Sequence, residues 1–185
     1  MSASFQAGGL PGLVLVYPQV LPDSRGSFFE TYKRSEYVAN GITEHFVQDN
    51  HSVSRRGVLR GLHFQTGSHA QGKLVRVVHG LVWDVAVDLR RDSPTLGRWF
   101  GIELSAENRI QFYLSPGFAH GFLTLSPEAE CCYKCTAEYD RSSEEGIRWN
   151  DPVLAIAWPV GGLEVSLSEN DAALPSWDQW VKEAR

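Results

Sequence analysis

Cysteine is scarce in this chain: three among 185 residues, gathered at Cys131, Cys132 and Cys135. The spacing Cys132-x-x-Cys135 is half of a zinc set, but no second Cys pair or neighbouring His completes it. The three thiols therefore read as small apolar strand residues in a reducing compartment, and no metal is expected. No apolar run approaches the ~20 residues needed to cross a bilayer, so no membrane partner is expected. Met1-Ser2-Ala3-Ser4-Phe5-Gln6 has no basic region leading into an apolar core. A secretory signal is not expected there, and the cytoplasm is the expected location. Positive charge is also in deficit, with 17 Lys and Arg against 22 Asp and Glu for a net charge of −5. That balance argues against a nucleic-acid backbone binder, which wants a basic face. It leaves room for a local basic pocket, for which Arg60, Lys73 and Arg76 are candidates. A Gly-rich dinucleotide loop is missing, so no redox cofactor is expected. Internal repeats and low-complexity linkers are missing as well.

What is present is an ordinary globular composition, 43% hydrophobic and 21% charged. The length suits one domain, residues 1–185, with a sizeable core. Short strand patterns separated by turn signals, with few helices, indicate an all-β sandwich or barrel. Residues 10–21 form a β-rich opening broken by prolines, which cannot donate to a ladder, so this strand is expected at an edge. Pro22 to Gly26 is a turn by composition, and Ser27 to Tyr32 reads as a strand. A short helix is expected from Ser35, as N-cap, to an Asn40-Gly41 stop. Phe46 to Ser54 is a strand with polar insertions, in which Gln48 and Asn50 share a face. Gly80 to Leu89 alternates clearly: Trp83, Val85, Val87 and Leu89 line one face, and Val82, Asp84, Ala86 and Asp88 the other. A carboxylate in mid-strand is unusual unless paired. Asp84 either orients a catalytic group, pairs with an arginine, or faces water.

The segment Gly57 to Gly80 reads as strand, polar loop, strand, and its two arms carry Arg60, His63 and Lys73 among apolar residues. An imidazole and two cations on one concave surface suit an anionic substrate that must lose a proton. Strict alternation puts Arg60 and His63 on opposite faces. For both to reach one site the strand must bulge between them, and Gly61 is where a bulge is tolerated. Further along, Ser115-Pro116-Gly117-Phe118-Ala119-His120-Gly121-Phe122 reads as a tight turn carrying His120. Cys131 to Thr136 is a strand with Tyr133 on the face of Cys131 and Cys135. Ser168 and Asp171 form a Ser-x-x-Asp pattern that fits a helix cap. Residues 177–185 look like a short amphipathic helix.

These runs resemble the dTDP-4-dehydrorhamnose 3,5-epimerases. The resemblance rests on Arg60-Gly61-Leu62-His63-Phe64-Gln65, on Gln71-Gly72-Lys73-Leu74-Val75-Arg76, on Asp23-x-Arg25-Gly26-x-Phe28-x-Glu30 and on Gly146-Ile147-Arg148-Trp149-Asn150-Asp151-Pro152. Several independent motifs occur in order over most of the chain. The resemblance implies a jelly-roll barrel of the cupin type with short peripheral helices, a dTDP-sugar substrate, no cofactor and a homodimer. It implies a catalytic set of His63 as base, Asp171 as its partner, Lys73 and a proton-donating Tyr133. It places Arg25, Glu30, Gln48, Asn50, Arg60, His120, Tyr139 and Glu144 at substrate, with Arg25 and Glu30 reaching it partly across the dimer interface. Asp171 is then either the plain cap partner of Ser168 or the histidine's partner. Many relatives carry lysine where this chain has Asn170, which leaves a charged contact from that position in doubt.

Epimerisation beside a ketone needs a base for the carbon acid, a cation for the enolate and an acid on the opposite face. An imidazole suits the base and so His63 is assigned it, Lys73 supplies preorganised charge, and Arg25 and Arg60 suit a diphosphate through bidentate bonds. Three competitors remain: a C3-only epimerase with the same catalytic set, a metal-dependent cupin oxygenase, and a non-catalytic nucleotide-sugar-binding barrel. A metal-binding cupin wants His-x-His, and this chain has His63-Phe64-Gln65.

Overall fold

A computed structural model describes residues 2–183. The strands are β1 (Ser4–Ala7), β2 (Leu13–Tyr17), β3 (Leu21–Asp23), β4 (Gly26–Phe28), β5 (Gln48–Arg55), β6 (Leu59–Gln65), β7 (Lys73–His79), β8 (Leu81–Asp88), β9 (Trp99–Ser105), β10 (Gln111–Leu114), β11 (Phe118–Thr124), β12 (Glu128–Cys135) and β13 (Glu144–Gly146). Three short helices, α1 (Arg34–Ala39), α2 (Glu169–Ala172) and α3 (Trp177–Glu183), lie outside them. One sheet runs β1-β2-β10-β7-β12-β5, a second runs β13-β6-β11-β8-β9, and β3 pairs only with β4. Every named strand pair is antiparallel. Two such sheets face to face make the jelly roll expected from the sequence.

The alternation read along each strand sorts residues between the inside and two outer covers. Leu13, Leu15, Val75, Val77, Val82, Ala86, Phe112, Phe122 and Cys131 fill the space between the sheets. Leu62, Phe64, Val85, Val87 and Leu123 point the other way, under Ile147, Leu154, Trp158 and the α3 tryptophans. Tyr37 and Ile42, from α1 and the turn after it, cover Val16, Leu74 and Tyr113 on the outer face of the larger sheet. Asp84 and Asp88, on the inward face of β8, are fully buried.

Several local expectations need correction. β2 is not an edge strand but lies between β1 and β10. Its prolines, Pro11 and Pro18, flank the paired residues, so no donor is lost inside Leu13–Tyr17. The strand expected over residues 27–32 ends at Phe28. Beyond it Tyr32 leaves the ladder and packs its ring against Tyr37 and Phe46. Helix α1 starts at Arg34 after Lys33, which makes no side-chain cap bond, so Ser35 lies inside the helix. Its stop is as read: Asn40 is the C-cap and Gly41 follows at φ +87°. His120 sits within strand β11, and the turn is confined to Pro116-Gly117. Cys131 and Cys135 are buried free thiols of β12, as small strand residues should be.

Candidate active site

The site begins with an irregularity in β6. Against β11, His63 pairs with His120 but Arg60 pairs with Phe122, so three steps on β6 match two on β11. The extra residue is a bulge. It turns Leu62 and Phe64 outward while Arg60, His63 and Gln65 keep to the inside. Gly61 holds φ +114°, and a Cβ there would lie 2.6 Å from the backbone oxygen of His120. Only glycine allows β6 and β11 to approach this closely. The bulge expected at Gly61 is therefore present, and it puts both side chains into one cavity.

That cavity has a volume of about 640 Å³ and is lined from both sheets, by Arg60, His63, Lys73, His120, Tyr133 and Glu144 among others. An adjoining recess of about 270 Å³ adds Gln48, Asn50, Gln65 and Tyr139. His63, Lys73, Tyr133 and Glu144 line both, so the two form one continuous space. Trp180, Leu174 and Pro175 from the chain's last turns wall the cavity on its outer side.

Nε2 of His63 lies 2.6 Å from Oδ1 of Asp171. The carboxylate is nearly out of solvent, 6% exposed, against 34% for the imidazole. Ser168 Oγ donates to Asp171 Oδ2 at 2.7 Å and accepts the Asp171 N–H at 3.0 Å. The Gly61 N–H donates to Oδ1 at 3.3 Å. Burial pushes the Asp171 carboxyl up, but the bonds from His63, Ser168 and Gly61 outweigh it and hold it below the usual carboxylate range. The helix cap and the histidine pair, alternatives in the sequence, coexist: the Asp171 N–H is capped by Ser168 Oγ while its carboxylate meets His63.

Across the barrel, burial draws the Lys73 ammonium below its ordinary value, while charge on Cys135, Asp84 and Glu144 acts against that fall. Among the described residues Lys73 makes no ion pair. Burial also raises the Tyr133 phenol, which keeps it protonated at neutral pH. His120 is buried, and its Nε2 sits 2.9 Å from both oxygens of Asp84. The unresolved role of Asp84 becomes clear: its partner is a cavity histidine, not an arginine or water.

At the mouth, Tyr139 Oη donates to Glu144 Oε2 at 2.8 Å. Gln48 donates to Asn50 at 3.0 Å and accepts the Tyr139 N–H at 2.7 Å. Arg60 reaches back to Ser54 Oγ at 3.0 Å. Gln65 Oε1 is committed to the Asp140 N–H at 2.9 Å. Asn170 lines the cavity as a neutral amide.

Two residues expected at the site are not there within one chain. Arg25 is 88% exposed and paired with Asp23 at 2.6 Å. Glu30 borders a small recess beside Ala3 and Glu36. The reason is the β3–β4 hairpin, all of whose residues are exposed and whose Phe28 stands 61% in solvent. It projects from the body rather than folding onto it. Sequence reasoning also missed Trp180, whose Nε1 donates to Glu145 at 2.9 Å. It paired Ser168 with Asp171 as a cap but missed the second bond, from the hydroxyl to the carboxylate.

A family model described as dTDP-4-dehydrorhamnose 3,5-epimerase matches residues 8–179. The chain belongs to this family. A dTDP-4-dehydrorhamnose 3,5-epimerase from Salmonella typhimurium is 52% identical over 173 residues, 92% of this chain and 93% of that protein. The crystal structure of a dTDP-6-deoxy-D-glucose-3,5-epimerase from Legionella pneumophila in complex with dTDP-4-keto-L-rhamnose superposes with a TM-score of 0.92 at 47% identity, covering 95% of this chain and 93% of that one. A 3'-monoepimerase from Streptomyces bikiniensis, bound to dTDP-quinovose, superposes with a TM-score of 0.89 at 32% identity, covering 97% and 90%. The family consists of sugar epimerases on a cupin-like jelly roll, the fold described above. Among the described residues no helix is long and apolar enough to cross a membrane.

Proposed function

We propose that the chain converts dTDP-4-dehydro-6-deoxy-D-glucose to dTDP-4-dehydro-L-rhamnose by removing and returning protons at C3 and C5, without a cofactor. The observation that carries this reading is that His63, Lys73 and Tyr133 line one continuous cavity, with Asp171 2.6 Å from the imidazole. His63 takes the proton from the carbon beside the C4 ketone. Asp171 fixes the ring's tautomer and balances the imidazolium that forms. Lys73 faces the enolate oxygen, where a fixed cation in a poorly solvated site is worth most. Tyr133, protonated and across the ring, returns a proton to the other face. General acid–base help is worth about 10²–10⁴-fold per group, so the set acts together.

Arg60, Gln48, Asn50, His120, Tyr139 and Glu144 hold the nucleotide and sugar so that each carbon meets base and acid in turn. Arg25 and Glu30 complete the site from the projecting hairpin of a second copy, in a homodimer. Gln65 stands where a His-x-His metal set would place its second imidazole, and its Oε1 accepts the Asp140 N–H, which supports proton transfer over a metal-dependent oxygenase. The higher identity to 3,5-epimerases than to the 3'-monoepimerase favours inversion at both carbons.

The test is product analysis by NMR after incubation with dTDP-4-dehydro-6-deoxy-D-glucose, with and without chelator. Inversion at C3 and C5, indifferent to chelation, is expected. Inversion at C3 alone reassigns the chain to the monoepimerases, and loss on chelation with recovery on adding metal overturns the acid–base reading.

A further inference from the structure

We propose that Ser168 is a positioning residue of the base: its hydroxyl holds the Asp171 carboxylate in the orientation and charge state that keeps His63 competent. This rests on the reading of His63 as base given above. Ser168 is the N-cap of α2, and a cap needs only a side-chain acceptor for a backbone N–H of the first turn. Here the same oxygen accepts the Asp171 N–H and also donates its own proton to Asp171 Oδ2. The donor bond adds nothing to helix capping. It occupies the oxygen that His63 does not use.

With Oδ2 engaged by Ser168, Oδ1 is left for His63 and the Gly61 N–H. The Gly61 N–H belongs to the bulge that aims His63. One carboxylate therefore joins the cap of α2, the backbone of β6 and the imidazole. An ionised carboxylate accepts only, so Nε2 carries the hydrogen and Nδ1 is the nitrogen free to take a proton. Remove the Ser168 donor and Oδ2 is a nearly buried anionic oxygen with no partner, which favours protonation or rotation of the group. Either change loosens the tautomer. The other charged and titratable groups around the ring are Arg60, Lys73, His120, Tyr133, Glu144 and Glu145. None of them is bonded to Oδ2.

Three variants separate this role from a merely structural one. Ser168→Ala removes both donor and cap acceptor. Ser168→Thr keeps both. Ser168→Gly has no donor to give Asp171 but remains a good N-cap residue. The expected result for Ser168→Ala is a fall in kcat of about ten- to a hundredfold, the scale seen when an outer partner of an oriented histidine is removed. KM stays within about twofold, and the acid limb of kcat/KM moves to higher pH. Ser168→Thr restores activity. Ser168→Gly keeps nearly the wild-type Tm and is as impaired as Ser168→Ala. Wild-type activity in Ser168→Gly would leave only a capping role and overturn the proposal, as would an unchanged pH profile in Ser168→Ala. A readout independent of turnover is the ¹⁵N spectrum of the His63 ring. It should show one tautomer in the wild type and a mixture in Ser168→Ala. Identical ring shifts overturn the proposal even if the substrate assignment stands, and a wild type inactive on the keto sugar leaves this readout intact.

Discussion

Replacing Lys73 with methionine should abolish turnover and make the protein more stable. The two side chains are similar in length, so Lys73→Met keeps the packing of β7 while deleting the charge. In the wild type that charge lines the cavity with Tyr133 and makes no ion pair among the described residues, and burial lowers its affinity for a proton. A depressed lysine means that the folded state holds the ammonium less well than the unfolded chain does. The penalty is therefore fully present below the folded value and fades as pH rises toward the ordinary 10.5. At neutral pH removing it should return about 1 kcal/mol, a modest figure because the cavity opens to water and Asp84 and Glu144 offset part of the desolvation. For a chain of this size that is a rise in Tm of about 2–4 °C. Turnover should fall by about 10²–10³-fold with the loss of enolate stabilisation. Differential scanning calorimetry at pH 7 and at pH 10, beside a turnover assay, reads all three quantities. The gain in Tm should shrink at the higher pH. A fall in Tm of several degrees at pH 7 would refute the reasoning, because Lys73 would then be a structural tie rather than a charge kept for chemistry.

Gly61→Ala forces a Cβ to within 2.6 Å of the His120 backbone oxygen at φ +114°. It should cost about 3 kcal/mol or more and disperse Arg60 and His63, visible as a fall in urea midpoint and loss of activity together. Asp88 is fully buried, and although burial pushes its carboxyl up, bonds from Arg90, Ser93 and Thr95 outweigh this and bring it to about 2 from 3.8. That depression stabilises the fold above the unfolded value and is lost as pH falls through the folded one, so the contribution of about 2 kcal/mol fades between roughly pH 4 and 2. Asp88→Asn should accordingly lower Tm by about 4–8 °C at pH 7 and by little at pH 2. Arg25→Ala and His63→Ala should each be inactive alone. Mixed after unfolding and refolding, they should regain about a quarter of wild-type activity, because half the dimers carry one intact site of two. No recovery would place Arg25 outside a shared site.

The parts of this molecule that were legible in the sequence were the ones set by local rules. Period-two alternation in Gly80 to Leu89 predicted which residues of β8 share a face, and Asp84 and Asp88 are buried together on the inward one. The conflict between alternation and chemistry at Arg60 and His63 predicted a bulge at Gly61, which the register shift against β11 supplies. What was not legible depends on partners distant in the chain. The place of β2 in its sheet is fixed by β1 and β10, and nothing in Leu13–Tyr17 names them. The prolines were visible, but whether they fell inside the ladder or beside it was not. Asp84 looked the same whether it faced His120 or water. The motif around Arg25 was readable, yet its hairpin stands off the body, so its distance from the cavity of its own chain emerged only from the fold. Ser168 was readable as a cap, but its second bond requires knowing where the Asp171 carboxylate points.

The central claim is that His63 and Tyr133 act on one keto sugar from opposite faces. Running the reaction in D₂O and counting both deuterium and inverted configuration at C3 and C5 tests it most directly. Label and inversion at both carbons are expected for the wild type, neither for His63→Ala, and label without inversion for Tyr133→Phe, since the imidazolium exchanges its proton with solvent and can then return deuterium only to the face it took from. Deuterium entering His63→Ala at the wild-type rate, or Tyr133→Phe inverting as fast as the wild type, would contradict it.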